Sequence, residues 1–586
     1  MFTRKRTEKL ILLCIIVLAT VLRTYNIHWD QNFHLHPDER FLTMVGNAMQ
    51  IPKNISTYFD TNTSPMNPEN IGFTFYVYGI FPIILNKFIA LVMQTDTYNL
   101  FTVQGRMLSA IFDVFTLIFV YRIGKILFSE KPRVALLGGF FYAISVLPIQ
   151  LSHFFAVDTF LNTFMTGSFY FMLTMYYEKK KESYGVIALS GVLFGLALAS
   201  KLSAIFLLPV LLILLFLARF QAKKLRITTI IKRVLLFGIV AYVLLRLADP
   251  YYFASSSFFS FHLNPNFLKS INELRALSTP EVWFPPSVQW IHKTPVLFSL
   301  YNLAMFGVGF GIFFCMLIGF TTIYSRKVDK YIEAQKKAKL SIFSYTMVLN
   351  MQKLPIVILA LWMGVFFLYQ SVQFTKTMRY FIFLYPYIAL FAAVGLHRMH
   401  IYVHKKRSWG IRMIIFALIL YWPIMFMSVY TRENSRIRAS QWLYQHVPDG
   451  SSLLVEHWDD ALPLPMGEVY NKRFIFVEFP IFGQDTEEKW RDAATRMETA
   501  DYYILSSNRA YGSIMTVPER YPVTTMFYQD LFNERLQFTK VAEFTQYPRL
   551  CVPFTTFCWE IVDQGPWADE AFTVYDHQRV LIYKKI

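Results

Sequence analysis

The feature that most constrains this chain is a succession of apolar runs, each close to the length of a bilayer crossing. They lie near residues 8–26, 72–93, 102–122, 133–151, 159–177, 184–200, 203–219, 233–249, 298–322, 354–373, 379–397 and 410–430. A helix of about 20 apolar residues spans the hydrocarbon core of a membrane. Composition agrees: of 586 residues 55% are hydrophobic and only 16% charged, against about a quarter charged in soluble domains. The chain is read as a mostly α, polytopic membrane protein. Its opening, "MFTRKRTEKLILLCIIVLATVLRTYNI", has a basic flank and an apolar run but no small-residue cleavage site, so it reads as a retained first span.

A net charge of +18 would suggest a nucleic-acid partner. The basic residues instead cluster in short segments between the runs, at 3–9, 122–133, 178–181, 223–233, 325–339 and 397–407, as topology control requires. No nucleic acid is therefore expected as a partner. With all six clusters in the cytoplasm, the alternation closes only if 72–93, which contains Pro82 and Lys87, does not cross. That segment is expected to be a juxtamembrane or re-entrant pair of helices. About eleven crossings remain, with the N-terminus cytoplasmic and residues from 431 outside, in a plasma membrane.

The expected organisation is a membrane module over 1–430 and an extracytoplasmic α/β domain over 431–586. In the second part, "SSLLVE", "RFIFVEF", "DYYILSS" and "RVLIYKK" alternate like strands, and 438–447, 486–500 and 524–536 read as helices. It has no glycine-rich phosphate loop. "HWDD" (457–460) and "WADEAFTVYDH" (567–577) read as loops and caps, with carbohydrate or acceptor contact as the sharper alternative. Cys551 and Cys558 can pair there if the domain is outside the cell.

The chemistry centres on "HLHPDERF", residues 34–41. As structure it is a good helix start: proline suits the first helical position and acids suit the first turn, while Phe41, Leu42, Val45, Ala48 and Met49 form an apolar face. As chemistry it places Asp38 and Glu39 outside, on the side where Asp158, Arg106, Lys201, Lys376 and Arg379 are also brought. Carboxylates near a bilayer are costly unless solvated or paired. Acids beside cations at a membrane surface suit displacement of a phosphate leaving group from a lipid-linked donor: cations hold the departing phosphate, and an aligned carboxylate takes the acceptor's proton.

These segments resemble the GT-C superfamily of polytopic glycosyltransferases, and most closely its protein O-mannosyltransferase and aminoarabinose-transferase branch. "HPDERF" is similar to the acidic first loop of that branch, 105–128 to its second span, 136–164 to its third and fourth spans with an acid between, and "KTMRYFIFLYPYIAL" (376–390) to its late arginine–tyrosine span. The segments 284–311, 439–451 and 568–577 resemble a less characterised bacterial and archaeal group. The resemblance implies inverting transfer of a sugar from a polyprenyl-phosphate donor on the outer face. It makes Asp38 the base, Glu39 its neighbour, Asp158 the second acid and Arg379 the ligand of the lipid phosphate. No β-trefoil insert is evident and the C-terminal domain is added, so a glycan or lipid acceptor stands beside a protein one.

Other candidates are weighed against plainer roles. Lys201 and Arg106 mark span ends, and Lys201 can snorkel. His36 and His153 position the acceptor or serve as interfacial residues. Trp290 and Lys293 line an acceptor groove or sit at the interface, and Asp249 starts a turn before a proline. No cofactor is required. A divalent metal is an alternative that the ligand spacing does not favour. The contrasting class is a transporter or lipid flippase with an external sensing domain. Asp113 and Arg246, the deepest charges, read as a packed pair or a snorkelling residue rather than a pathway.

Overall fold

The structure is a computed structural model that describes residues 2–129, 131–177, 184–221, 227–321, 342–405, 409–457, 460–467, 470–551, 555, 557–561 and 565–586. The basic segments at 178–181, 223–226 and 325–339, on which the expected orientation rests, lie outside these residues, as do Trp458 and Asp459 of "HWDD".

The protein is a multi-pass membrane bundle carrying a small C-terminal sheet. Among the described residues five helices are long and apolar enough to cross a bilayer, over Tyr98–Leu127, Ile227–Ala248, Lys353–Val372, Met378–His400 and Trp409–Met427. Two bent pairs raise the number to seven if each is one span: Pro132–Ala143 with Val146–Ser152 at 53°, and Leu297–Gly307 with Phe310–Thr321 at 119°. By length and composition this is fewer than the eleven crossings read from the sequence. Part of the difference is that the apolar runs at 184–200 and 203–219 become the shorter helices Tyr184–Ser200 and Leu202–Ala218.

The segment 72–93 yields one short helix, Phe81–Met93, of 13 residues. At 1.5 Å per residue that is roughly 20 Å, short of the roughly 30 Å hydrocarbon core. Lys87 on it pairs with Asp96 at 2.7 Å. The deep charges are tied down as well: Arg23 of the first helix donates to Asp113 at 2.5 Å, both buried, and Arg246 donates to the Ser255 and Ser257 carbonyls.

The C-terminal sheet contains β1 (Ser452–Glu456), β2 (Ile475–Phe479), β3 (Tyr502–Leu505), β4 (Phe538–Phe544) and β7 (Val580–Lys585) in the order β2-β1-β3-β7-β4. β1 runs parallel to both β2 and β3, while β7 runs antiparallel to β3 and β4. The Glu487–Thr499 helix lies in the crossover from β2 to β3, which run parallel on either side of β1, as a connection between parallel strands requires. A separate two-stranded ribbon joins β5 (Arg549–Cys551) to β6 (Cys558–Glu560), and the Cys551–Cys558 disulfide closes it.

Candidate active site

The helix Pro37–Ala48 begins as the sequence predicts. His36 is the cap, its Nδ1 accepting from the Glu39 N–H at 3.2 Å, and Pro37 stands in the first turn. Leu42, Val45 and Met49 are buried. Successive residues on a helix point about 100° apart, so the two neighbouring acids face different surroundings.

Glu39 points into the protein. Both its oxygens accept from Arg106, from Nε and Nη2 at 2.7 Å each, and Oε1 also accepts the Phe155 N–H at 2.7 Å. Arg106 grips Asp30 as well, at 2.9 and 2.7 Å, and donates to the Ile27 carbonyl. The side chains of Asp30, Glu39 and Arg106 are all 0% exposed. This cluster ties the loop after the first helix, the Pro37–Ala48 helix, the Tyr98–Leu127 span and the turn at Phe155 together. Every arm of the Arg106 guanidinium is engaged inside the protein, which leaves none for a phosphate, and Glu39 is spent on Arg106 and the Phe155 N–H.

Asp38 points the other way and accepts from Arg379 Nη1. Its side chain is 34% exposed and that of Arg379 15%. Burial pushes the Asp38 carboxyl up, but the Arg379 guanidinium, with Arg509 adding to it, holds it well below the usual carboxylate range, so it is ionised. Arg379 is the electrostatic hub, acting on Asp38, Tyr78, Asp158 and Tyr575. It lies in the 3-10 turn Met378–Leu384, which the C-terminal domain holds in place: Met378 N–H and Thr377 Oγ1 both donate to the Asp569 carboxylate.

Arg379 also lines a cavity of about 520 Å³, together with Asp158, Lys201, Gln370, Arg275 and Tyr380. Lys201 Nζ donates to Asp158 Oδ1 at 2.7 Å and lies 5.2 Å from the Tyr380 ring centroid. Asp158, Lys201 and Arg379 therefore share one cavity, and Asp38 joins them through its ion pair with Arg379.

The remaining candidates lie elsewhere. Lys376 is buried and donates to the Phe374 carbonyl, off the cavity wall, and burial pulls its ammonium below the usual lysine value. His36 is a buried cap packed between Phe154 and Tyr575, and burial lowers it to about 3, so its ring is neutral. His153 is buried with its ring nitrogens at the Ile149 and Tyr25 carbonyls, and it stacks on Tyr430. Trp290 is buried against Phe298, and Lys293 donates to the Pro566 carbonyl. Lys293 thereby joins the loop before Leu297 to the C-terminal segment, and neither residue lines the cavity.

Sequence reasoning missed three contributors. Tyr78 lies in the electrostatic reach of Asp38, Arg379 and Asp158. Tyr575 packs on His36, and Arg509 donates to Glu570 at 2.6 Å while acting on Asp38. The signal for part of this was "ADEAFTVYDH", in which Asp569 caps the short helix Glu570–Thr573 and grips the Arg379 turn. Asp576 accepts from Gln150 and from the Tyr430 hydroxyl. Caps and site contacts are the same residues here.

The Asp38 and Asp158 carboxylates each already hold a protein cation, and among the described residues no three His, Cys, Asp or Glu side chains come together as metal ligands.

Comparison with known proteins points to one fold. Residues 81–245 match the family described as dolichyl-phosphate-mannose-protein mannosyltransferase. The archaeal oligosaccharyltransferase AglB from Archaeoglobus fulgidus, solved with an inhibitory peptide and a dolichol-phosphate, is 12% identical with a TM-score of 0.52, over 89% of this chain and 72% of that one. The same enzyme tethered to an acceptor peptide gives 0.50 at 12% identity, over 89% of this chain and 72% of that one. ArnT from Cupriavidus metallidurans is 12% identical over 99% of this chain and 98% of that one, with a TM-score of 0.43. No curated protein matches the sequence. The fold is that of the GT-C membrane glycosyltransferases.

Proposed function

We propose that this protein transfers a sugar from a polyprenyl-phosphate-linked donor to an acceptor hydroxyl at the outer face of the membrane, with inversion at the anomeric carbon. The observation that carries the reading is the sharing of Arg379 between the ionised Asp38 and the cavity lined by Asp158 and Lys201. The match to a mannosyltransferase family and the polyprenyl-phosphate complex of the AglB relative support the donor class.

In this mechanism the donor phosphate enters the cavity and draws Arg379 and Lys201, two cations placed where charge develops on the leaving group. The acceptor hydroxyl attacks the anomeric carbon on the face opposite the phosphate. The new C–O bond forms as the bond to the phosphate oxygen breaks, the acceptor proton passes to Asp38, and polyprenyl phosphate departs as an anion. At rest Arg379 makes Asp38 a poor base. Once the phosphate engages Arg379, the pull on Asp38 weakens and its basicity rises, which couples donor binding to activation of the acceptor. Asp158 orients Lys201. The acceptor is a glycan, lipid or protein hydroxyl.

The test separates binding from chemistry in purified protein. Asp38→Asn should retain binding of a polyprenyl-phosphate sugar and lose about 10²–10⁴-fold in transfer rate, while Arg379→Gln should lose donor binding. Transfer at wild-type rate by D38N, or transport of a substrate with no glycosyl product from any polyprenyl-phosphate sugar, would overturn the reading.

A further inference from the structure

A second cavity, of about 440 Å³, lies far from the site just described. Eight of its twelve lining residues are apolar, among them Ile11 of the first helix, Leu137 and Phe416, and the other four are Arg133, His397, His400 and Arg412. No acid lines it. Lys131, Arg133 and His400 all act electrostatically on His397, so positive charge is concentrated at one end of an apolar slot. The Nε of Arg412 is enclosed and has no hydrogen-bond partner among the described residues. A buried unpaired donor beside like charges is costly unless a ligand completes it.

Depth identifies the ligand. His397 follows Arg379 by 18 residues along a continuous helical stretch from Met378 to Lys405, roughly 27 Å at 1.5 Å per residue. That is close to the thickness of the hydrocarbon core, so the basic end of the slot sits at headgroup level in the leaflet opposite the first cavity. The helix Trp409–Met427, with Ile414, Phe416 and Leu418 exposed, continues the apolar wall toward the lipid.

We propose that this slot is a binding site for an anionic phospholipid of the opposite leaflet. Its phosphate is held by Arg133, Arg412 and the two histidines, and one tail lies between the first helix and the helices Pro132–Ala143 and Trp409–Met427. Basic pockets between helices on the cytoplasmic side are a recurrent way of holding anionic headgroups, and the basic segments flanking this slot are those expected in the cytoplasm. The site secures the first helix against the last span and is separate from the donor cavity, so it stands whether or not the proposed transfer reaction does.

The full-length protein in neutral detergent, titrated with phosphatidylglycerol and read by native mass spectrometry, should retain one lipid in preference to phosphatidylcholine. The double variant R133Q/R412Q should bind it about 25-fold more weakly, about fivefold for each arginine. Leu137→Trp, which fills the slot and leaves the charges intact, should also lose the lipid, and it decides the matter if the double variant does not fold. Unchanged phosphatidylglycerol affinity in L137W, displacement by inorganic phosphate alone, equal retention of phosphatidylcholine, or preference for undecaprenyl phosphate would each overturn the proposal.

Discussion

Asp38 and Glu39 are consecutive acids on one helix, yet their removal should have opposite consequences. In Glu39→Gln the amide replaces a carboxylate that accepts three hydrogen bonds, two of them from Arg106, with no exposed surface. Breaking a buried ion pair from one side costs about 3–5 kcal/mol, at least about a fifth of a typical folding stability of about 5–15 kcal/mol. Arg106→Gln is worse, because it leaves the Asp30 and Glu39 carboxylates buried without a cation; we expect it not to accumulate as folded protein. Asp38→Asn removes a partly exposed ion pair with a single partner, worth about 1 kcal/mol or less to stability after solvent screening, but it removes the base. The assay pairs thermal unfolding in detergent with transfer kinetics on the same preparations. E39Q should unfold several degrees lower while the folded fraction keeps measurable transfer; D38N should unfold near wild type with transfer reduced at least a hundredfold. If E39Q unfolds like wild type and loses transfer selectively, Glu39 takes part in the chemistry and the division between the two acids is wrong.

Three further outcomes are expected. Stability should fall as pH drops from about 6.5 toward 3, because buried His36, lowered to about 3, and buried His153, lowered to about 4, are neutral in the fold while the unfolded chain protonates them over that range; each contributes a slope of up to about 1.4 kcal/mol per pH unit, and His36→Asn, which can still cap the helix, should remove the His36 share in pH-dependent unfolding. Transfer should persist after exhaustive treatment with a chelator, since protein cations occupy both carboxylates; loss of activity restored by a divalent ion would reverse that expectation. Gly79→Ala should lower transfer at least tenfold, because the added carbon collides with the Ala199 carbonyl just before Lys201; KM for the donor, measured with kcat, checks that the damage falls on donor binding.

Some of this was readable in advance. Apolar run length announced the membrane, and proline with two acids before an apolar face announced the Pro37–Ala48 helix and its cap. Alternation located β1, β2, β3 and β7. β4, "FTKVAEF", escaped because its side chains are mostly half-buried or exposed and the apolar alternation is weak. Hydropathy also located the apolar run at 184–200, which forms the 17-residue helix Tyr184–Ser200. Arg106 and Lys376 read as phosphate ligands because both lie near span ends on the active face, a property they share with Lys201 and Arg379.

The class of protein and its helical framework follow from local pattern, because bilayer solvation and helix periodicity act over a few turns of chain. Which acid is chemical and which is structural does not. That choice depends on Asp30 meeting an arginine 76 residues later, on Arg379 reaching Asp38 across 341, and on Asp569 returning from the C-terminal domain to hold the Arg379 turn. A charge's role is set by the partner it meets after folding, and partners this distant leave no periodic trace in the sequence.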